Sequence, residues 1–260
     1  MLRKLFLTLF LVVFSGVVAS AELTMPNEKK TLGKNVPDVR LMGSDGSSFS
    51  LKERMGGKPL ILSLIYTKCT TTCLLITDSI SDVVGKLGGL GEKYNVLTLS
   101  FDPADINPKR LDEFRRTWRL DREGWIVAGG EKEEVDKLLT AIDFGYIFDK
   151  ATGEFLHPNL LVILTPDGRV SRYFYGVTYN DKDLKLSLLE AKKGISKLSI
   201  AEGFLLRCFQ FDPATMTYKT DWAFIMHIFG GVSFFLSVFI VLKGKKTLLS
   251  IRRLSTRFFS

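Results

Sequence analysis

Two cysteines carry the strongest chemical signal in the chain. Cys69 and Cys73 stand four residues apart in P-L-I-L-S-L-I-Y-T-K-C-T-T-T-C-L-L-I, Pro59 to Ile76. Positions i and i+4 share one face of a helix, so both sulfurs would point to the same spot if a helix begins here. Thr70, Thr71 and Thr72 lie between them and can satisfy the first N–H groups of such a helix. The positive end of the helix favours thiolate over thiol. Two soft sulfurs select Cu(I), Zn(II) or an iron–sulfur cluster. They can equally close a disulfide, since the Cα separation across one helical turn falls inside the disulfide window. The plain alternative is a pair of buried structural cysteines.

The elements that must position this pair are legible on both sides. Leu60–Tyr66 reads as a strand buried on both faces. A helix follows over Thr77–Leu87 and stops at Gly88-Gly89. The sulfurs therefore belong at the end of a central strand, where open α/β sheets bind ligands. Asp38–Leu51 alternates around Asp45-Gly46, a hairpin signal. Strands are expected at Asn95–Phe101, Trp125–Ala128, Leu160–Thr165 and Val170–Tyr175, with a further one over Phe144–Phe148. Helices are expected at Pro108–Leu120, Glu131–Ile142 and Asp181–Lys193. This order predicts an α/β layered domain with a mixed sheet flanked by helices. Asp102-Pro103 ends a strand; support for a metal site from behind is the other reading of Asp102.

His157 lies in F-L-H-P-N, just ahead of the strand Leu160–Thr165. A lone histidine beside a strand is commonly structural. A central position for that strand would let its leading loop approach the cysteines. Two thiolates and one imidazole make a trigonal set suited to Cu(I) and extendable for Cu(II), whereas zinc usually takes a fourth ligand.

At these residues the sequence resembles the Sco/SenC family, membrane-tethered copper proteins with a thioredoxin-like fold. The matching features are C-x-x-x-C at Cys69–Cys73 after a buried strand, L-S-F-D-P at Leu99–Pro103, and His157 followed by L-V-I-L-T-P-D-G-R. The resemblance covers roughly Leu32 to Lys193. It implies copper held by Cys69, Cys73 and His157. It also implies a role in delivering copper to, or reducing the thiols of, the copper centre of cytochrome c oxidase. The partners would be a copper-receiving oxidase subunit and thiol–disulfide proteins. Many relatives have proline after each cysteine, where this chain has Thr70 and Leu74, and an acid near the histidine, where Asp149 here stands eight residues earlier. The alternatives are a thiol–disulfide oxidoreductase or peroxidase using Cys69 and Cys73, and a redox or copper sensor.

The ends of the chain point to a membrane. Residues 1–21 read as a signal peptide, with Arg3 and Lys4 before an apolar run and Ala19-Ser20-Ala21 as the cleavage pattern. An uncleaved anchor is the alternative, and either leaves the body outside the cytoplasm. Residues 22–31 are a lead-in, 32–194 the domain and 195–220 a linker. Residues 221–242 hold a transmembrane helix, and 243–260 form a basic tail expected to face the cytoplasm. The chain has 36 Lys+Arg against 28 Asp+Glu. Eight of those cations sit in the two terminal segments, which carry no acid, so the body is neutral and nucleic acid is not an expected partner. Cys208 in the linker is the odd cysteine. His227 lies inside the apolar span, close to its outer edge.

Overall fold

Strand β3, Leu60–Ile65, is buried along its whole length. So is its parallel neighbour β4, Asn95–Ser100. Apolar runs of this kind are stable only when both faces are covered. In this computed structural model, which describes residues 25–193, 200–212, 215 and 217–258, the two strands form the middle of a seven-stranded mixed sheet. Strand β5, Trp125–Gly129, continues the parallel set beyond β4. Beyond it lies the hairpin of β1, Arg40–Gly43, and β2, Ser48–Ser50. On the other side, β8, Leu160–Leu164, runs antiparallel to β3, and β9, Val170–Tyr175, closes the sheet. The sheet order is β2-β1-β5-β4-β3-β8-β9.

Helices flank this sheet. Short α1, Glu28–Thr31, is held by Tyr173, whose hydroxyl donates to the Ile142 carbonyl at 2.8 Å and meets Thr31 Oγ1 at 3.0 Å. Helix α2, Leu51–Met55, is closed by a capping box between Ser50 and Glu53. Helix α3, Thr72–Leu87, packs on β3, while α4, Pro108–Thr117, packs on β5. Helix α5, Lys132–Ala141, lies against β1. Helix α6, Asp181–Lys192, lies against β8, β9 and α3. Gly124, at φ +84°, lets the turn before β5 lie on the Gly91 backbone, where a Cβ would collide. The expected hairpin, strands and helices are thus present, with ends moved by a few residues. The expected strand over Phe144–Phe148 is instead β6, Ile147–Asp149, paired with a strand the sequence did not reveal, β7, Glu154–Leu156.

Most of the described part of the stretch expected to be a linker lies in secondary structure. Helix α7 covers Ile200–Cys208, and β10, Phe209–Asp212, pairs with β11, Thr217–Thr220. Tyr218 is buried against α6, its N–H donating to Asp183 at 3.0 Å and its hydroxyl to Glu190. The guanidinium of Arg172 lies 3.6 Å from the centre of the Phe211 ring. These contacts seat the hairpin on the domain. Helix α8, Trp222–Phe258, follows directly. Its segment Trp222–Val241 has a mean hydropathy of 2.2 and is long and apolar enough to cross a membrane. The signal segment 1–21 lies outside the described residues.

Candidate metal centre

The loop leaving β3 sets the site. Cys69 N–H donates to Tyr66 carbonyl at 3.1 Å, closing a tight turn before the helix. Helix α3 starts only at Thr72, so Cys69 stands ahead of it and Cys73 alone lies in its first turn. The expectation of two sulfurs on one helical face is corrected accordingly. Capping by the threonines is corrected too: Thr71 occupies the N-cap with no side-chain cap. The Cys69 sulfur takes that role, accepting from Cys73 N–H at 3.4 Å. A sulfur that accepts the free N–H groups of a helix start is pre-set to carry charge, because the helix end is positive.

The thiols therefore divide their work. The Cys69 thiol is pulled down to about 4, chiefly by the hydrogen bond from the Cys73 side chain, with further help from Thr71 N–H, Cys73 N–H and the Tyr66 hydroxyl; burial opposes them. Cys73 is pushed up, because its proton is held by the Cys69 thiolate and it is wholly buried. The two shifts run in opposite directions, so Cys69 is the thiolate and Cys73 the thiol. No acid lies in the first turn of α3 to compete for the positive helix end.

His157 follows β7 directly, so the β6–β7 hairpin delivers it. Its Nδ1 lies 3.1 Å from Pro158 carbonyl. A carbonyl only accepts, so Nδ1 carries the proton and Nε2 keeps its lone pair. Nε2 faces Cys73 Sγ at 3.9 Å. Burial depresses the ring's pKa and keeps it neutral, the form a metal binds. Tyr66, Phe101 and Phe144 pack against the imidazole, with ring centres 6.0, 5.2 and 5.9 Å away. Phe155 closes on Tyr66 and Phe101 from the hairpin side. This aromatic box fixes the ring's orientation and shields part of it from water.

The structure thus brings Cys69, Cys73 and His157 to one place. Among the described residues no three His, Cys, Asp or Glu side chains are already gathered at ligand spacing around one point. A metal bonded to sulfur at ~2.3 Å and imidazole at ~2.0 Å in a trigonal plane holds the two ligand atoms roughly 3.7 Å apart. The observed 3.9 Å fits that edge.

Other sequence candidates lie elsewhere. Asp102 caps the 3₁₀ turn Pro103–Ile106, accepting from Ala104 N–H at 2.9 Å. Asp149 accepts from Ala151 and Thr152 in its own hairpin turn. Cys208 is half-buried at the end of α7, and none of the three cysteines is in a disulfide. His227 Nδ1 donates to Ala223 carbonyl one turn back. The residue that sequence reasoning missed is Asp105, fully buried behind the Cys69 loop. Its only signal was a second acid three residues after Asp102, in a segment that read as a turn.

The fold and site define a thioredoxin-like protein whose paired cysteines, at a strand-to-helix junction, face a histidine from a hairpin. The chain belongs to the SCO1/SenC family, whose model matches residues 28–188. It is 27% identical over 152 residues to the SCO1 protein homolog of Bacillus subtilis, covering 57% of this chain and 78% of that one. A crystal structure from Aquifex aeolicus, of a candidate electron transfer protein, is 40% identical and superposes with a TM-score of 0.59 over 62% of this chain and 95% of that chain. Copper-bound ScoI of Bradyrhizobium japonicum, at 19% identity, shares the fold with a TM-score of 0.50 over 62% and 99%. BsSco, described with a disulfide switch and as one of the Sco cytochrome c oxidase assembly proteins, is 23% identical, with a TM-score of 0.53 over 66% and 99%.

Proposed function

We propose that this protein is a membrane-tethered copper metallochaperone acting outside the cytoplasm. Copper is its cargo, held by Cys69, Cys73 and His157 and passed to the copper-receiving subunit of cytochrome c oxidase. The observation that carries this reading is His157 Nε2 facing Cys73 Sγ at 3.9 Å, with Cys69 Sγ beside them on the Cys73 N–H at 3.4 Å. Two sulfurs and one imidazole suit Cu(I) better than zinc. The copper-bound ScoI and the oxidase-assembly role of BsSco support the same cargo and destination.

Here residues 1–21 act as a signal peptide, 22–31 as a lead-in and 32–194 as the copper domain. The span 221–242 anchors the chain, with the basic tail 243–260 in the cytoplasm. The segment 195–220 joins domain to anchor.

A second reading rests on one observation: Cys69 Sγ accepts from Cys73 N–H at 3.4 Å, which sets the two thiols side by side at the start of α3. A thiolate with a second thiol beside it can reduce a partner disulfide. The thiolate attacks one partner sulfur, Cys73 resolves the mixed disulfide, and two electrons pass to the partner as Cys69 and Cys73 join; one proton comes from the Cys73 thiol and the second from solvent. The test uses the full chain in detergent, loaded with Cu(I) and mixed with a purified oxidase copper-site domain. Transfer of one copper per chain to reduced acceptor supports delivery. Reduction of an oxidised acceptor by copper-free protein, with no copper transfer, supports the thiol reading. Neither result would overturn both.

A further inference from the structure

Asp105 is a carboxylate with no exposure to solvent. Its Oδ2 accepts from Thr67 N–H at 2.7 Å and from Ser100 Oγ at 2.7 Å. Its Oδ1 accepts from Thr67 Oγ1 at 2.6 Å. The nearest cation is Arg110, with Nη1 3.7 Å from Oδ1. Gly129 on β5 leaves room for the turn that carries this residue, because a Cβ there would stand 3.0 Å from the Asp105 carbonyl oxygen.

The partners sit at matched places. Ile65 and Ser100 are register partners at the ends of parallel strands β3 and β4. Thr67 is the second residue beyond β3 and lies inside the turn that Cys69 N–H closes on Tyr66 carbonyl. Asp105 therefore ties the end of one strand to the loop leaving its neighbour, two residues before Cys69. A buried charge is weak evidence for stability, since apolar packing often holds neighbouring elements as well. An apolar side chain cannot accept from a backbone N–H and a hydroxyl of the same loop residue and so fix that loop's direction.

We propose that Asp105 is a positioning residue for the Cys69–Cys73 site, acting through Thr67 to set where the Cys69 sulfur stands relative to Cys73 and His157. The proposal deepens the reading above and rests on Cys69 and Cys73 being the working thiols. Partners behind metal ligands commonly change affinity by about 10–100-fold when removed.

The experiment uses the full chain in detergent, with two readouts. One is Cu(I) affinity in competition with a chromophoric chelator. The other is the dithiol–disulfide equilibrium of Cys69 and Cys73 in glutathione buffers. Asp105→Asn should weaken Cu(I) binding about tenfold and move the thiol equilibrium by a similar factor. Thr67→Val, which keeps the carboxylate and the backbone bond, should move both the same way by roughly threefold. Asp183→Asn removes another buried carboxylate, the one that accepts from Tyr218 N–H, and should lower thermal stability while leaving both readouts unchanged. If Asp105→Asn does not fold, Thr67→Val decides. Unchanged readouts in the folded Asp105 and Thr67 variants overturn the proposal, as does an equal shift in Asp183→Asn. If the wild-type chain binds no copper, the metallochaperone reading fails, while the thiol equilibrium still decides the role of Asp105.

Discussion

Replacing Cys73 by alanine should raise the pH at which the Cys69 thiolate forms. The thiol of Cys69 sits at about 4, against 9.0 for an ordinary cysteine, because its charged form accepts several hydrogen bonds, the Cys73 side chain's first among them. Removing a donor to the charged form disfavours that form, so the midpoint must move up. A hydrogen bond to a charged group contributes about 1.5–3 kcal/mol, and the weak S–H donor belongs at the lower end. At about 1.4 kcal/mol per pH unit, the Cys73→Ala midpoint should rise by roughly one unit. Ultraviolet thiolate absorbance of reduced, metal-free protein reads this directly and needs no reagent to enter the buried site. Wild-type protein should show one thiolate per chain down to about pH 4. A wild-type midpoint in the ordinary range, or one that Cys73→Ala leaves in place, would refute this account of the Cys69 thiolate. The same shifts link to folding. A thiol whose folded pKa lies below its unfolded value stabilises fully above 9.0 and loses that contribution as pH falls toward 4. His157, held neutral by burial, acts in the same sense, since below about pH 6.5 the unfolded chain takes up a proton the buried ring resists.

Three further outcomes follow from the structure. Oxidised protein should bind little Cu(I) and regain one equivalent after mild reduction, because a bridge between Cys69 and Cys73 removes the charge that holds the metal; mass spectrometry showing Cys208 bridged to either cysteine would contradict this. A chain ending at Gly194 should unfold at least ~6 °C below one ending at Thr220, since the cut removes the buried Tyr218 and its contacts, about 3 kcal/mol by aromatic truncation; equal melting temperatures would make 195–220 a mere tether. Gly124→Ala should cost about 3 kcal/mol in denaturant unfolding, because a positive φ and a collision with Gly91 combine there; Gly46→Ala, also at positive φ but with open space around it, should cost nearer 1 kcal/mol.

Much of the frame was legible in the residues. The apolar runs of β3 and β8 can form only central strands, and Gly88 closes α3 where expected. That Cys69, Cys73 and His157 belong together was legible mainly through the family resemblance, since nothing local to F-L-H-P-N shows that β6 and β7 turn His157 toward Cys73. Those strands are three residues each and half exposed, too short for alternation to register. The cysteine pair was placed one turn too far into the helix, because a sulfur can cap a helix start and no propensity scale anticipates it. Asp105 was hidden for a related reason. Its partners are a backbone N–H and two hydroxyls far apart in sequence, and only the parallel pairing of β3 and β4 brings them together. The hairpin β10–β11 was read as linker because its apolar residues are few. Its hold on the domain comes from its own rings, Phe211 under the Arg172 guanidinium of β9 and Tyr218 donating to Glu190 of α6; Arg172 and Glu190 form an ion pair that only the fold assembles.

X-ray absorption at the copper edge tests the central claim most directly. The full chain loaded with one equivalent of Cu(I) should show two sulfur scatterers and one imidazole nitrogen. Cys69→Ser and Cys73→Ser should each lose one sulfur, and His157→Ala should lose the imidazole signal. A wild-type spectrum with no imidazole, or one that His157→Ala leaves unchanged, would contradict a site built from these three residues.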